Sequence, residues 1–340
     1  MERAFKRPRR GKMHKSTERF VVGIDLGGSK ILTVITNARG DILSRDYRPT
    51  PAVEGPETVI QQILKSVDSA SDQCGIAIAK LSAIGVGAPG ISNPETGVVF
   101  TSPHLPGWKN VPLKDIIQSQ LGAKTFIIND ANAAALAELH FGAGRGARNL
   151  IYVTISTGIG GGIIINGELY TGALGTAGEV GHMIIVDNGL PCDCGNTGCW
   201  ETLASGSALA RKAKQRIKEG VPSSIPDYVG GDVEEVTAKV IQTAAEQGDA
   251  LARELVTEAG YYLGVGLANL INIFNPEVIV IGGGLSNMGD MLLEPAFKVA
   301  GERAYKEAYQ VVRFALAELG ENSGALGAAA FAFREMKKRG

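Results

Sequence analysis

Asp25-Leu26-Gly27-Gly28-Ser29-Lys30 and, some 130 residues further on, Thr154-Ile155-Ser156-Thr157-Gly158-Ile159-Gly160-Gly161-Gly162 are the stretches that decide the fold. Each lies between two apolar runs, 20–25 and 30–36 for the first and 151–155 and 162–165 for the second. Runs of this kind read as strands and the glycines as tight turns at hairpin tips. A third strand at 41–48, after the turn Asn37-Ala38-Arg39-Gly40, extends the first hairpin into an antiparallel meander, and the same succession restarts at Leu150. Such a repeat predicts a duplicated α/β domain, two lobes around a cleft. Paired glycines leave backbone N–H groups free to face an anion, and the hydroxyls of Ser29 and Thr157 add donors. Either turn alone would pass as an ordinary β-turn. Their repetition, with the extra Gly160-Gly161-Gly162, points to two loops that hold a triphosphate between them.

Outward from the first meander, Val59, Ile60, Ile63, Leu64 and Val67 recur at helical spacing in 57–70. Strands are expected at 81–86 and 124–128, a helix at 113–120, and an alanine-rich helix at 131–140; the stretch 88–112 reads as loop. In the second half the pattern gives helices at 207–219, 233–247 and 251–272. A strand at 278–281 ends in Gly282-Gly283-Gly284, and a last apolar helix spans 325–338. The expected division is a basic, disordered arm at 1–19, a smaller lobe at 20–132 completed by the helix 325–338, and a larger lobe at 133–324.

The 340 residues are 44% hydrophobic and 20% charged, which fits a folded globular chain and excludes a fibrous or disordered one. Charge is uneven: residues 1–19 carry eight basic side chains and two acids, leaving 26 basic against 33 acidic over the rest. The body therefore offers no nucleic-acid surface. The arm lacks the apolar core of a secretory signal, and Met13 within it is an alternative start. The uncharged runs 149–167 and 259–276 are interrupted by the glycine cluster and by Asn269, Asn272 and Asn275, so no membrane span is expected. Cys74 stands alone while Cys192, Cys194 and Cys199 fall within eight residues, a pattern for metal in a reducing cytoplasm.

Gly85-Val86-Gly87-Ala88-Pro89-Gly90 matches the spacing of a dinucleotide turn. Pro89 and the following Gly90-Ile91-Ser92-Asn93-Pro94 cannot open the helix that such a turn requires, and the chain has no P-loop. His182, Cys192, Cys194 and Cys199 supply three thiolates and an imidazole, a closed tetrahedral set of the structural zinc type with no position left for water. Gly195 and Gly198 let so short a loop wrap an ion. Glu179 and Glu201 flank this loop. With one ring nitrogen of His182 on zinc, the other is a fixed donor, and the two carboxylates are acceptors, a set suited to a polyhydroxyl ligand. Asn129-Asp130 stands where a strand meets a helix. A solitary Asp without a nearby His, Ser or Cys nucleophile suggests a general base, and capping the helix is compatible with that role.

Together Asp25-Leu26-Gly27-Gly28-Ser29-Lys30, Asn129-Asp130-Ala131-Asn132, Thr157-Gly158-Ile159-Gly160-Gly161-Gly162, Gly178-Glu179-Val180-Gly181-His182 and Cys192 to Glu201 resemble the ROK family of bacterial sugar kinases, and its glucokinases most. The resemblance runs from about Phe20 to the C-terminus and implies an actin-like ATPase (ribonuclease H-like) fold. It implies phosphorylation of a hexose by ATP with Mg²⁺, most often of glucose to glucose 6-phosphate, with Asp130 as base. Asn129, Glu179, His182, Glu201 and Gly90 would contact sugar. Asp25, Gly27, Gly28, Ser29, Lys30, Thr157, Gly158 and Gly160 would hold the phosphates and Mg²⁺, and Gly282, Gly283 and Gly284 the adenosine. The zinc of His182, Cys192, Cys194 and Cys199 would be structural. Ser29 departs from the threonine frequent in the family but keeps the hydroxyl. Fructose, mannose or an N-acetylated amino sugar are alternative substrates, polyphosphate an alternative donor, and a non-catalytic sugar sensor the reading from another class. The family's repressors carry a winged helix-turn-helix ahead of the kinase fold, and fewer than twenty residues precede the first strand here. The expected partners are hexose and ATP, with self-association to a dimer or tetramer.

Overall fold

The computed structural model describes residues 19–102 and 104–338, so the basic arm, except for Arg19, lies outside the described residues. The first meander forms as expected: β1 (Phe20–Leu26), β2 (Lys30–Asn37) and β3 (Ile42–Pro49). α1 (Pro56–Cys74) opens with proline in its first turn and stops at Gly75, whose φ of 68° is left-handed. It buries Val59, Ile60, Ile63, Leu64 and Val67. β4 (Leu81–Ala88) follows. The stretch expected as loop holds a small antiparallel sheet of β5 (Ile91–Ser92), β6 (Val99–Thr101) and β7 (Lys109–Val111), strands too short for periodicity to reveal. Then come α2 (Leu113–Leu121), β8 (Thr125–Asn129) and α3 (Asp130–Phe141).

The second half starts with β9 (Leu150–Ile155), β10 (Ile159–Ile165) and a two-residue β11 (Glu168–Leu169). β10 begins three residues earlier than expected, so Gly160, Gly161 and Gly162 lie in the strand, paired with Thr154, Val153 and Tyr152, and not at the hairpin tip. Their reason is packing: a Cβ at Gly161 would come within 2.7 Å of the Val180 side chain, and one at Gly162 within 2.5 Å of Ala135 in α3. The helices are α4 (Glu201–Ala204), α5 (Gly206–Lys218), α6 (Ala238–Glu246) and α7 (Ala250–Phe274). α6 starts five residues later than expected because Thr237 caps it, accepting the Val240 N–H. After β12 (Val278–Gly282), α8 (Asp290–Arg303), α9 (Lys306–Val311) and β13 (Arg313–Leu316) were not expected, and α10 (Ser323–Lys338) closes the chain.

The two five-stranded sheets have the same order, β3-β2-β1-β4-β8 and β11-β10-β9-β12-β13, an antiparallel meander followed by two parallel strands. This is the duplicated α/β architecture of the actin-like ATPases. α3 and α10 pack together at the centre in one apolar cluster that reaches β9 and β12. Close approach explains the small residues there: a Cβ at Gly23 would collide with Ala325 O, one at Gly85 with Ala328 O, and one at Gly327 with Ala133 O. α10 is thereby seated directly on β1, β4 and α3. No helix among the described residues is long and apolar enough to cross a membrane.

Candidate active site

Both hairpin tips, the β8–α3 junction and the cysteine loop supply the candidate residues. At the junction, Asn129 is extended (φ −64°, ψ 146°) and its Oδ1 accepts the Asn132 N–H at 3.1 Å, so it caps α3. Its Nδ2 reaches the carbonyl of Gly90 at 3.4 Å. Gly90 has φ +89°, and a Cβ there would strike the Thr101 carbonyl, so the turn after β4 needs glycine. Asp130 is the first residue of α3, and its Oδ1 accepts the Ala131 N–H at 2.8 Å. The expected base is thus held at a strand-to-helix corner by its own helix N-terminus.

The carboxylates around it gather. Burial pushes the Asp130 carboxyl above the usual carboxylate range, against the lowering pull of the Ala131 N–H and of the His104 charge. Asp25, at the end of β1, is raised to about 6, first by burial and then by the negative charge of Asp130, with Lys30 opposing. Glu179 is raised by burial, and both Asp130 and Glu201 add to the shift while His182 lowers it. Four acids from four parts of the chain therefore sense one another. The structure also brings His104, exposed in the loop after β6, toward Asp130; one of four histidines in the chain and set in a loop, it carried no sequence signal.

At the cysteine loop, His182, Cys192, Cys194 and Cys199 bring their ligand atoms within 4.8 Å of one another. His182 Nδ1 lies 3.6 Å from Cys192 Sγ, and Cys194 Sγ lies 3.6 Å from Cys199 Sγ. A tetrahedron with metal–sulfur arms of ~2.3 Å has edges of ~3.8 Å, so the donor set fits zinc. The loop is built for this: Asn196 O accepts the Cys192 N–H at 2.8 Å and Cys192 O the Gly195 N–H at 2.9 Å, with Gly195 at φ +93° and Gly198 at +73°. Trp200, fully buried, anchors it by donating Nε1–H to Tyr262 O at 2.9 Å. With Nδ1 turned to the thiols, His182 Nε2 faces Glu179, 3.9 Å from its Oε2.

Glu201, the first residue of α4, sits differently from a free acceptor. Its Oε2 accepts the Ile159 N–H at 2.8 Å, and a Cβ on Gly158 would collide with that oxygen. One carboxylate oxygen is engaged by the second hairpin and the other remains for a ligand. Beyond this hairpin a cavity of about 560 Å³ is lined by Thr157, Ser207, Lys239, Gly284, Leu285 and Met288. Gly283 (φ +87°) turns the chain at its edge, and Gly284 has no heavy atom within 4 Å of a Cβ position. Gly27, Gly28 and Ser29 form the tip between β1 and β2, where the Gly27 N–H is already bonded to Lys30 O at 2.8 Å. The site therefore has an acidic centre, a histidine–carboxylate flank and, beyond the second hairpin, a cavity of mixed polar and apolar lining.

A glucokinase of Halalkalibacterium halodurans is 38% identical over 319 residues, covering 92% of this chain and 94% of that protein. A putative xylose repressor of Caldicellulosiruptor sp. is also 38% identical, over 93% of this chain and 78% of that protein. Among solved structures, a ROK family glucokinase from Streptomyces griseus in complex with glucose and AMPPNP is 36% identical, with a TM-score of 0.79 and coverage of 93% and 99%. The sequence model of the ROK family matches residues 21–335, and the chain belongs to that family.

Proposed function

We propose that this chain is an ATP-dependent glucokinase in which Asp130 is the general base. The observation that carries the reading is the placement of Asp130: fixed at the start of α3 by the Ala131 N–H, raised in pKa by burial, and close enough for its charge to act on Asp25 and Glu179 and for that of His104 to act on it. Asp130 takes the proton of the sugar 6-hydroxyl as its oxygen bonds to the γ-phosphorus; the bond from that phosphorus to the bridging oxygen breaks, and ADP leaves. A base with a raised pKa is matched to an alcohol proton better than an ordinary carboxylate.

Asn129, Glu179, His182, Glu201 and Gly90 surround the sugar. His182 Nε2 donates, Glu179 and the free oxygen of Glu201 accept, and the cysteine loop holds His182 in that orientation. Zinc bound by His182, Cys192, Cys194 and Cys199 would fold and stiffen the loop. The hairpin segments 27–30 and 157–160, each a tip with the first residues of the strand after it, hold the phosphates, and the 560 Å³ cavity with Gly284 takes the adenosine. Asp25 is raised to about 6 by burial first and by the charge of Asp130 second, and Mg²⁺ accompanying ATP would offset the second of these. The residues 20–132 with α10 act as one lobe and 133–324 as the other, and their closure excludes water from the transfer.

A coupled assay of ATP with glucose, fructose, mannose and N-acetylated amino sugars tests this reading. Glucose is expected to give the highest kcat/KM and glucose 6-phosphate as product. A higher kcat/KM for another sugar reassigns the substrate, and no turnover with any sugar overturns the kinase reading.

A further inference from the structure

Glu138 lies in the interior of α3, two turns beyond Asp130, and is fully buried. A carboxylate taken out of water is costly unless its oxygens are satisfied. No ion pair to Glu138 occurs among the described residues; three backbone groups serve instead. The Ala143 N–H donates to Oε2 at 2.9 Å, the Glu318 N–H to Oε2 at 3.2 Å and the Leu319 N–H to Oε1 at 3.1 Å. Gly142 makes room, since a Cβ there would collide with Oε2.

These donors belong to two separate passages of the chain. α3 and the turn after it lead from the first sheet to the second, and the segment after β13 leads back to α10 on the first. Among the described residues these are the two passages between the sheets. Arg313 joins them again by donating to Ala143 O at 2.9 Å, and Arg145 pairs with Glu318 at 3.9 Å. Each passage leads to an acid of the site. α3 begins at Asp130, and α10 rests on Asp25 so closely that a Cβ at Gly324 would lie 2.5 Å from Asp25 Cγ.

We propose that Glu138 is a positioning residue: it fastens the two passages to each other, so that Asp130 and Asp25 keep their relation while the lobes close. The inference rests on the reading of Asp130 as base. Glu138→Gln keeps the size but turns one acceptor oxygen into a donor, leaving a backbone N–H unanswered. Turnover should fall roughly 10- to 100-fold with the sugar KM within about threefold, the split expected when only the transition state is affected. Gly142→Ala, which displaces the carboxylate from the other side, should give the same split. In an Asp130→Asn background Glu138→Gln should cost little more, because groups that act as a unit are non-additive.

Normal kcat in both single variants, or the full Glu138→Gln cost repeated in the Asp130→Asn background, overturns the proposal; a lowered Tm with unchanged kcat shows a structural role only and overturns it too. Near-normal turnover of Asp130→Asn by itself sinks the base assignment, which separates that failure from failure of the clasp. If neither single variant folds, hydrogen exchange in the unaltered protein decides. The amides of Ala143, Glu318 and Leu319 should exchange together and slowly, and fast exchange of Glu318 and Leu319 alone overturns the clasp.

Discussion

The two glycine hairpins occupy equivalent places in two sheets of the same strand order, yet different things lean on them. At the first, a Cβ on Gly28 would lie 2.7 Å from the carbonyl of His104, in the loop after β6. At the second, Gly158 makes room for the carboxylate of Glu201, which follows the cysteine loop. The two halves share one strand order, and in each a different segment rests on the hairpin. The strand ends have diverged too: β8, at the edge of the first sheet, delivers Asn129 and Asp130, whereas β12, which stands in the second sheet where β4 stands in the first, ends in Gly282, with Gly284 just beyond lining the 560 Å³ cavity.

Removing the second half's segment from this arrangement should have the largest effect. Chelation of zinc, or Cys194→Ser, should unfold the loop and lower Tm, since structural zinc sites of this kind contribute on the order of 10 kcal/mol to folding. About one zinc per chain is expected by elemental analysis, and full stability after complete chelation would make the cysteines bystanders. Next comes the acid delivered by the first half. Asp130→Asn keeps the cap and the size but not the base, and should cost roughly 10²–10⁴-fold in kcat with sugar affinity nearly intact.

Glu201→Gln asks whether one side chain serves both ligands. An amide oxygen can still accept the Ile159 N–H, leaving an NH₂ where the sugar expects an acceptor, so sugar binding should weaken by about 1.5–3 kcal/mol. The sugar KM then rises roughly 10- to 100-fold, and zinc content and the KM for ATP should change less than about twofold. An equal rise in both KM values would show that the hairpin itself had been disturbed.

The smallest effect concerns Asp25. Its folded pKa, about 6, stands above the ordinary 3.8, so its charge opposes folding. That cost is absent below pH 4, grows between pH 4 and 6, and is complete above pH 6. In metal-free, nucleotide-free protein, Asp25→Asn should therefore raise stability at pH 8 by on the order of 1–2 kcal/mol and by less at pH 5, while impairing phosphoryl transfer. A variant less stable at pH 8 than the parent would remove the claim that burial and the charge of Asp130 make the ionised Asp25 costly.

How far each feature could be read from the chain depended on range. The two meanders, the Asn129-Asp130 corner and the cysteine loop follow from local spacing, and each formed where expected. Gly160 to Gly162 did not: they looked like spare turn glycines, but contacts with Val180 and Ala135 distant in sequence give them their place in β10. α8 was hidden by Pro295 inside it, which packs on Gly260 of α7. Glu138 resembles any surface acid in an alanine-rich helix until Glu318 and Leu319 arrive from 180 residues away. His104 is another such case, since only the fold turns its loop toward Asp130.

A crystal structure with glucose and AMPPNP would test most directly whether the two halves meet as described. The sugar 6-hydroxyl should lie within ~2.6–3.2 Å of the Asp130 carboxylate, with the terminal phosphate between the hairpin segments 27–30 and 157–160. A glucose whose 6-hydroxyl is met by Glu179 or His182, with Asp130 turned to its helix alone, would contradict the account.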